Sequence, residues 1–124
     1  MTAGQMINEV DILEPNQYTT EQKLAWLSDL DGKLFEEVIA THKDAAITEF
    51  HPHETEESEL LIPVPYGREV YVHYLQAKVA SENAEDAKYN QQTLLFATAY
   101  RMYTDMYNRT HLPIGPGFGN RFKF

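Results

Sequence analysis

Two histidines flank a proline at His51-Pro52-His53, with Glu49, Glu54 and Glu56 alongside. Imidazole and carboxylate are side chains that hold zinc and other divalent ions, so this is where residue type alone points to a metal-dependent hydrolase. The spacing argues against it. No HExxH or equivalent helical pair is present, and the candidate ligands fall on a stretch without periodicity to make them rigid. The expectation is a solvated polar loop that holds no metal and needs no cofactor. Acid and base chemistry finds little else to use. Asp29, Asp31, Glu36 and Glu37 share a helical pattern with Leu24, Leu27 and Leu34 but stand mostly off that stripe, as a wet face. His73 reads as a half-buried, hydrogen-bonded histidine. No serine occupies a GxSxG turn, and Gly115-Pro116-Gly117-Phe118-Gly119 follows a helix instead of joining a strand to one. The absence of cysteine excludes thiolate ligands and a thiol nucleophile. No catalytic residue is assigned, and the expectation is a protein that is not an enzyme.

The aromatic residues offer a different chemistry. Tyr89, Phe96, Tyr100, Tyr103 and Tyr107 recur at helical spacing, a pattern suited in principle to stacking bases, but the net charge of -9 gives no electrostatic footprint for a phosphate chain. Packing within the core or between subunits is the better account, with Trp26, Tyr100, Tyr103 and Tyr107 as its principal rings. The C-terminus departs from the acidic body. From Asn108 onward the chain carries +3, leaving -12 for the remainder. Phe118, Phe122 and Phe124 with Arg121 and Lys123 form a basic aromatic tail, which either folds back or docks on another protein with its phenylalanines as anchors.

The elements that must position these groups follow from apolar spacing. At 124 residues, with 43% apolar and 23% charged side chains, the chain suits one globular domain with a core small enough to gain from partner subunits. Met6, Val10 and Leu13 predict a short helix that ends before Pro15. Thr19 and Gln22 have capping-box spacing, and Leu24, Leu27, Leu30, Leu34 and Val38 carry the next helix to about His42. Gly32 inside it predicts a kink or a close helix crossing. Residues 43–65 lose periodicity and read as a long solvated acidic loop, with an extended run at Glu59 to Pro65 that suits a single edge strand or an arm lying along the domain wall. A third helix follows from Tyr66 through Val70, Tyr74 and Ala77 to a break at Ser81-Glu82-Asn83. A fourth, about Glu85 to Thr110, carries a Leu95, Ala99, Met102, Met106 stripe beside the aromatic one, which predicts the central helix of the bundle. The fold class is all-α, a small bundle of about four helices, with a helical domain at 1–112 and an extended docking tail at 113–124. The first residues lack a basic region and an apolar run, and no stretch suits a bilayer, so a soluble intracellular protein without membrane contact is expected.

The order of these pieces resembles that of small head-tail connector, or adaptor, proteins of tailed bacteriophages and prophages. The resemblance rests on Trp26-Leu27-Ser28-Asp29-Leu30-Asp31-Gly32, on Leu60-Leu61-Ile62-Pro63-Val64-Pro65-Tyr66-Gly67, and on Tyr107-Asn108-Arg109-Thr110-His111-Leu112-Pro113, spaced across nearly the whole chain. It implies a structural virion protein, assembled in the bacterial host cytoplasm, whose copies form a ring, commonly a dodecamer, under the portal at the neck. The ring would extend the DNA channel without binding DNA specifically and would join the head to a stopper or tail-completion protein. By resemblance, Phe118, Arg121, Phe122 and Phe124 are assigned to portal docking, and His51, His53, Glu54, Glu56, Glu57 and Glu59 to an inter-subunit or channel loop. An acidic channel wall fits, since it repels phosphate and lets DNA slide. Two other classes stay open: an acidic module that mimics DNA charge, and the loop-based metal hydrolase on His51 and His53.

Overall fold

Each of the first two helices starts at a threonine-glutamine capping box. The Thr2 hydroxyl accepts the Gln5 amide at 3.2 Å while the Gln5 side chain accepts the Thr2 amide at 2.9 Å, which opens α1, Ala3–Leu13. Thr19 and Gln22 repeat the arrangement at 3.1 and 2.8 Å and open α2, Thr20–Glu37, as the sequence predicts. The computed structural model describes residues 1–42, 47 and 49–111. A 3₁₀ turn, Ile39–Thr41, extends α2, and α3, Tyr66–Glu82, and α4, Asp86–Thr110, complete an all-α bundle of four helices. The tail at 112–124, with Phe118, Arg121, Phe122 and Phe124, lies outside the described residues, as does the proposed boundary at 113.

Helix α3 is the centre, which corrects the expectation for α4. Its Val70, Tyr71, Val72, Leu75, Val79 and Ala80 are all buried, and it packs against α1, α2 and α4. Helix α4 packs on α3 alone among the helices. Ala99, Tyr103 and Tyr107 face inward and Met106 packs against the core, but Leu95 and Met102 stand 40% and 55% exposed, so the Leu95, Ala99, Met102, Met106 stripe is only half covered. Leu13 fails in the same way on α1. It is 57% exposed because the buried face is Ala3, Met6, Ile7 and Val10, and nothing described covers the last turn.

Gly32 neither kinks α2 nor admits a helix crossing. Helix α2 runs unbroken past it, and a Cβ there would meet only the Phe50 ring, at 3.5 Å. Gly67 is the glycine that permits close approach, since a methyl on it would overlap the Ile62 carbonyl oxygen. That contact lets the chain before α3 lie directly on the helix. The stretch leading there is no free loop: His53, Leu60 and Ile62 are buried, and the edge strand is reduced to a single isolated bridge between Thr2 and Glu59. Apolar side chains at Leu60 and Ile62 contribute about 1.5–3 kcal/mol each by leaving water, enough to hold an irregular segment against the bundle. Among the described residues no helix is long and apolar enough to cross a membrane.

Candidate functional site

The polar centre of the molecule is Asp31, which is fully buried on α2. This corrects its placement on a wet face. Helical spacing sets it one residue beyond Leu30 and three before Leu34, at the margin of the apolar stripe, where the descending 53–62 segment closes over it. A buried carboxylate is tolerated only when its lone pairs are taken. His53 Nε2 donates to Asp31 Oδ2 at 2.7 Å, and the Leu61 amide donates to the same oxygen at 3.1 Å. The Tyr71 hydroxyl donates to Oδ1 at 2.5 Å while accepting the Ile62 amide at 2.9 Å. Burial first, and the Asp31 carboxylate second, push the Tyr71 phenol well above its ordinary range, so it remains a donor throughout the physiological range. Among the described residues no buried side-chain nitrogen or oxygen lacks a partner.

This constellation ties three elements together and leaves no reactive group. Ser28, one turn before Asp31, sits close enough to suggest a serine, histidine and aspartate relay. Its hydroxyl instead accepts the His53 amide at 2.8 Å and contacts the His53 carbonyl, so it caps the loop backbone and does not face the imidazole. In a relay the carboxylate holds one imidazole nitrogen and the serine shares its proton with the other; here Asp31 holds Nε2, while the Ser28 hydroxyl bonds the His53 backbone.

His51 and His53 do not converge. The His53 side chain is 5% exposed and bound to Asp31, whereas His51 is 79% exposed and pairs with Glu49 at 3.1 Å. Proline between them turns successive side chains apart, and among the described residues no group of three or more potential ligands could hold a metal. The buried position of His53 also removes it from the proposed inter-subunit loop surface. Glu54, Glu56, Glu57 and Glu59 are exposed, with Glu59 held by the N-terminal ammonium at 3.0 Å. The acidic turn is fixed in place: Gly4 N donates to Glu56 O and Ala3 N to Ser58 O, both at 2.8 Å.

The aromatic assignments divide. Tyr103 and Tyr107 are buried in the chain's own core, Tyr100 is half-buried beside Phe96, and Trp26 is half-buried with its ring edge-on to Tyr18 at 5.6 Å. Burial pushes Tyr103 up to about 12, with Tyr107 and Asp31 adding to it, and burial with Asp29 pushes Tyr74 to about 12. His73 is half-buried, with Nδ1 at 2.8 Å from Gln92 Oε1, as its sequence position suggests. A concavity of about 710 Å³ runs between α2 and the Phe50 to Glu54 segment. Its rim mixes Glu21, Asp29 and Glu36 with Lys33 and Lys78, with no set of side chains converging on one point. Comparison with models of known protein families, with characterised proteins and with solved structures finds no match.

Proposed function

We propose that this protein is a structural head-tail connector of a tailed phage or prophage, forming a ring beneath the portal and joining the head to later neck or tail proteins. The observation that supports this reading most is where the resembling segments lie. The Trp26 to Gly32 segment supplies Ser28 and Asp31, and the Leu60 to Gly67 segment supplies the Leu61 and Ile62 amides and the Gly67 contact. The first two segments therefore meet at the buried latch, and Tyr107 of the third packs edge-on against His42 at 4.8 Å. The segments that carry the resemblance are then ones that build a scaffold. A non-enzymatic role fits a centre whose donors and acceptors are all spent on one another.

An acidic exterior suits a DNA channel, because exposed carboxylates raise the local negative potential and keep phosphates from adhering. The role of the tail is docking: a segment with Phe118, Phe122 and Phe124 as anchors gains affinity when many copies engage one ring together. Truncation after Pro113 tests it. Loss of attachment to the portal with unchanged far-UV circular dichroism supports the assignment, and undiminished attachment refutes it.

A further inference from the structure

The outward face of α4 carries features that the bundle does not use. Leu94, Leu95 and Met102 are 69%, 40% and 55% exposed. A groove of about 290 Å³ runs along this side, lined by Pro65, Tyr66, Ala99 and Met102 with Glu69. On the same outward arc lie Arg101 and Arg109, both exposed and neither with a carboxylate partner among the described residues, and one acid, Asp105. Arg101 follows Leu94 by seven residues and Arg109 follows Met102 by seven, so each charge stands two turns from an exposed apolar side chain. Apolar area rimmed by unpaired cations marks a contact surface for something acidic.

We infer that a second copy of this chain occupies this face, and that it does so with the turn bearing Glu54, Glu56 and Glu57. The inference deepens the connector reading and rests on it for self-assembly. Charge complementarity selects the occupant. The chain is -9 overall, Lys23, Arg68 and Lys88 are engaged in ion pairs, and the turn presents three exposed carboxylates with no cation partner among the described residues. Preorganisation selects the turn: its backbone is already bonded to Ala3 and Gly4 of α1, so docking orders little that folding has not ordered. Gly4 is required there, because a Cβ would stand 2.7 Å from that of Glu56. Among the described residues α1, which carries the turn, does not pack along α4; Lys88 of α4 reaches Glu14 at the end of α1 away from the turn. The two surfaces are therefore different patches of one molecule. Contacts between unlike patches run head to tail, and they close into rings or extend into filaments instead of stopping at dimers.

Light scattering on the full chain, coupled to size exclusion, tests this by charge reversal. The pair Arg101→Glu with Arg109→Glu should raise the concentration for half-assembly about tenfold or more, and Glu56→Arg with Glu57→Arg should do the same. The four changes combined should restore assembly, a result that misfolding of either pair would not produce. Wild-type-like assembly by the α4 pair overturns the inference and leaves the connector reading standing. Assembly weakened by the α4 pair but untouched by the turn pair overturns the assignment of the turn. A wild-type chain that stays monomeric at high concentration overturns the second copy as occupant, and whether that monomer still adds to the portal decides the connector reading separately.

Discussion

Replacing Asp31 with alanine strands three donors at once: His53 Nε2, the Leu61 amide and the Tyr71 hydroxyl. Each buried donor left without an acceptor costs about 1–3 kcal/mol. The chain has one escape, which is to lift residues 53–62 off the bundle and hydrate them. That forfeits the burial of Leu60 and Ile62, about 1.5–3 kcal/mol apiece. The smaller of the two losses governs, so Asp31→Ala should destabilise the fold by about 3–5 kcal/mol, the range for breaking one partner out of a buried charged network. Asp31→Asn keeps the volume and one acceptor oxygen and should lose about 1–3 kcal/mol, because its amide group faces the Tyr71 hydroxyl with a donor. Urea unfolding followed by far-UV circular dichroism gives the size of the loss, and native-state hydrogen exchange gives its location. The Leu61 and Ile62 amides, protected through Asp31 and Tyr71, should lose protection ahead of the α3 amides. A loss under about 1 kcal/mol for Asp31→Ala, with those two amides still protected, would refute the account of the latch.

Two glycines should respond with opposite sign. Gly67→Ala drives a methyl into the Ile62 carbonyl oxygen, a backbone atom that cannot swing aside, and should cost about 2 kcal/mol or more, whereas Gly32→Ala meets the Phe50 ring at an ordinary 3.5 Å and should gain up to about 1 kcal/mol of helix propensity. Thermal unfolding midpoints that move in the same direction would contradict the packing described at both. Alkaline pH should also weaken the fold. Tyr71 is raised well above its ordinary value and Tyr74 and Tyr103 to about 12, so between about pH 10 and 12 the folded chain keeps protons that the unfolded chain releases, and stability falls as pH rises through that window. A urea midpoint that stays level from about pH 9 to 11.5 would show that these phenols are not held as described.

Helix placement was legible because it depends on neighbours three and four residues away. The Thr19 box, the stop before Pro15 and the break near Asn83 are all local, and all stand in the structure. The Thr2 and Gln5 box carries the same local signal. Partner assignments were not legible, since they depend on contacts distant in sequence. Met102 sits on a good apolar stripe, yet nothing in its own helix says that it stays exposed while Ala99 is covered. Asp31 looks like any surface acid until residues thirty and forty positions later supply an amide and a hydroxyl. His53 differs from His51 for the same reason, although the two are separated by one proline. The useful hint was compositional: Leu60 and Ile62 are too apolar for a solvated loop, and a segment that must be buried needs a polar anchor for its backbone.

The central claim is that this chain seats on a portal as a ring. Negative-stain electron microscopy of the purified full chain mixed with the portal protein encoded with it tests that most directly. The connector reading predicts an additional ring of density at the narrow end of the portal, sharing its axis. A well-formed portal that carries no added density in the presence of excess full-length chain would contradict it.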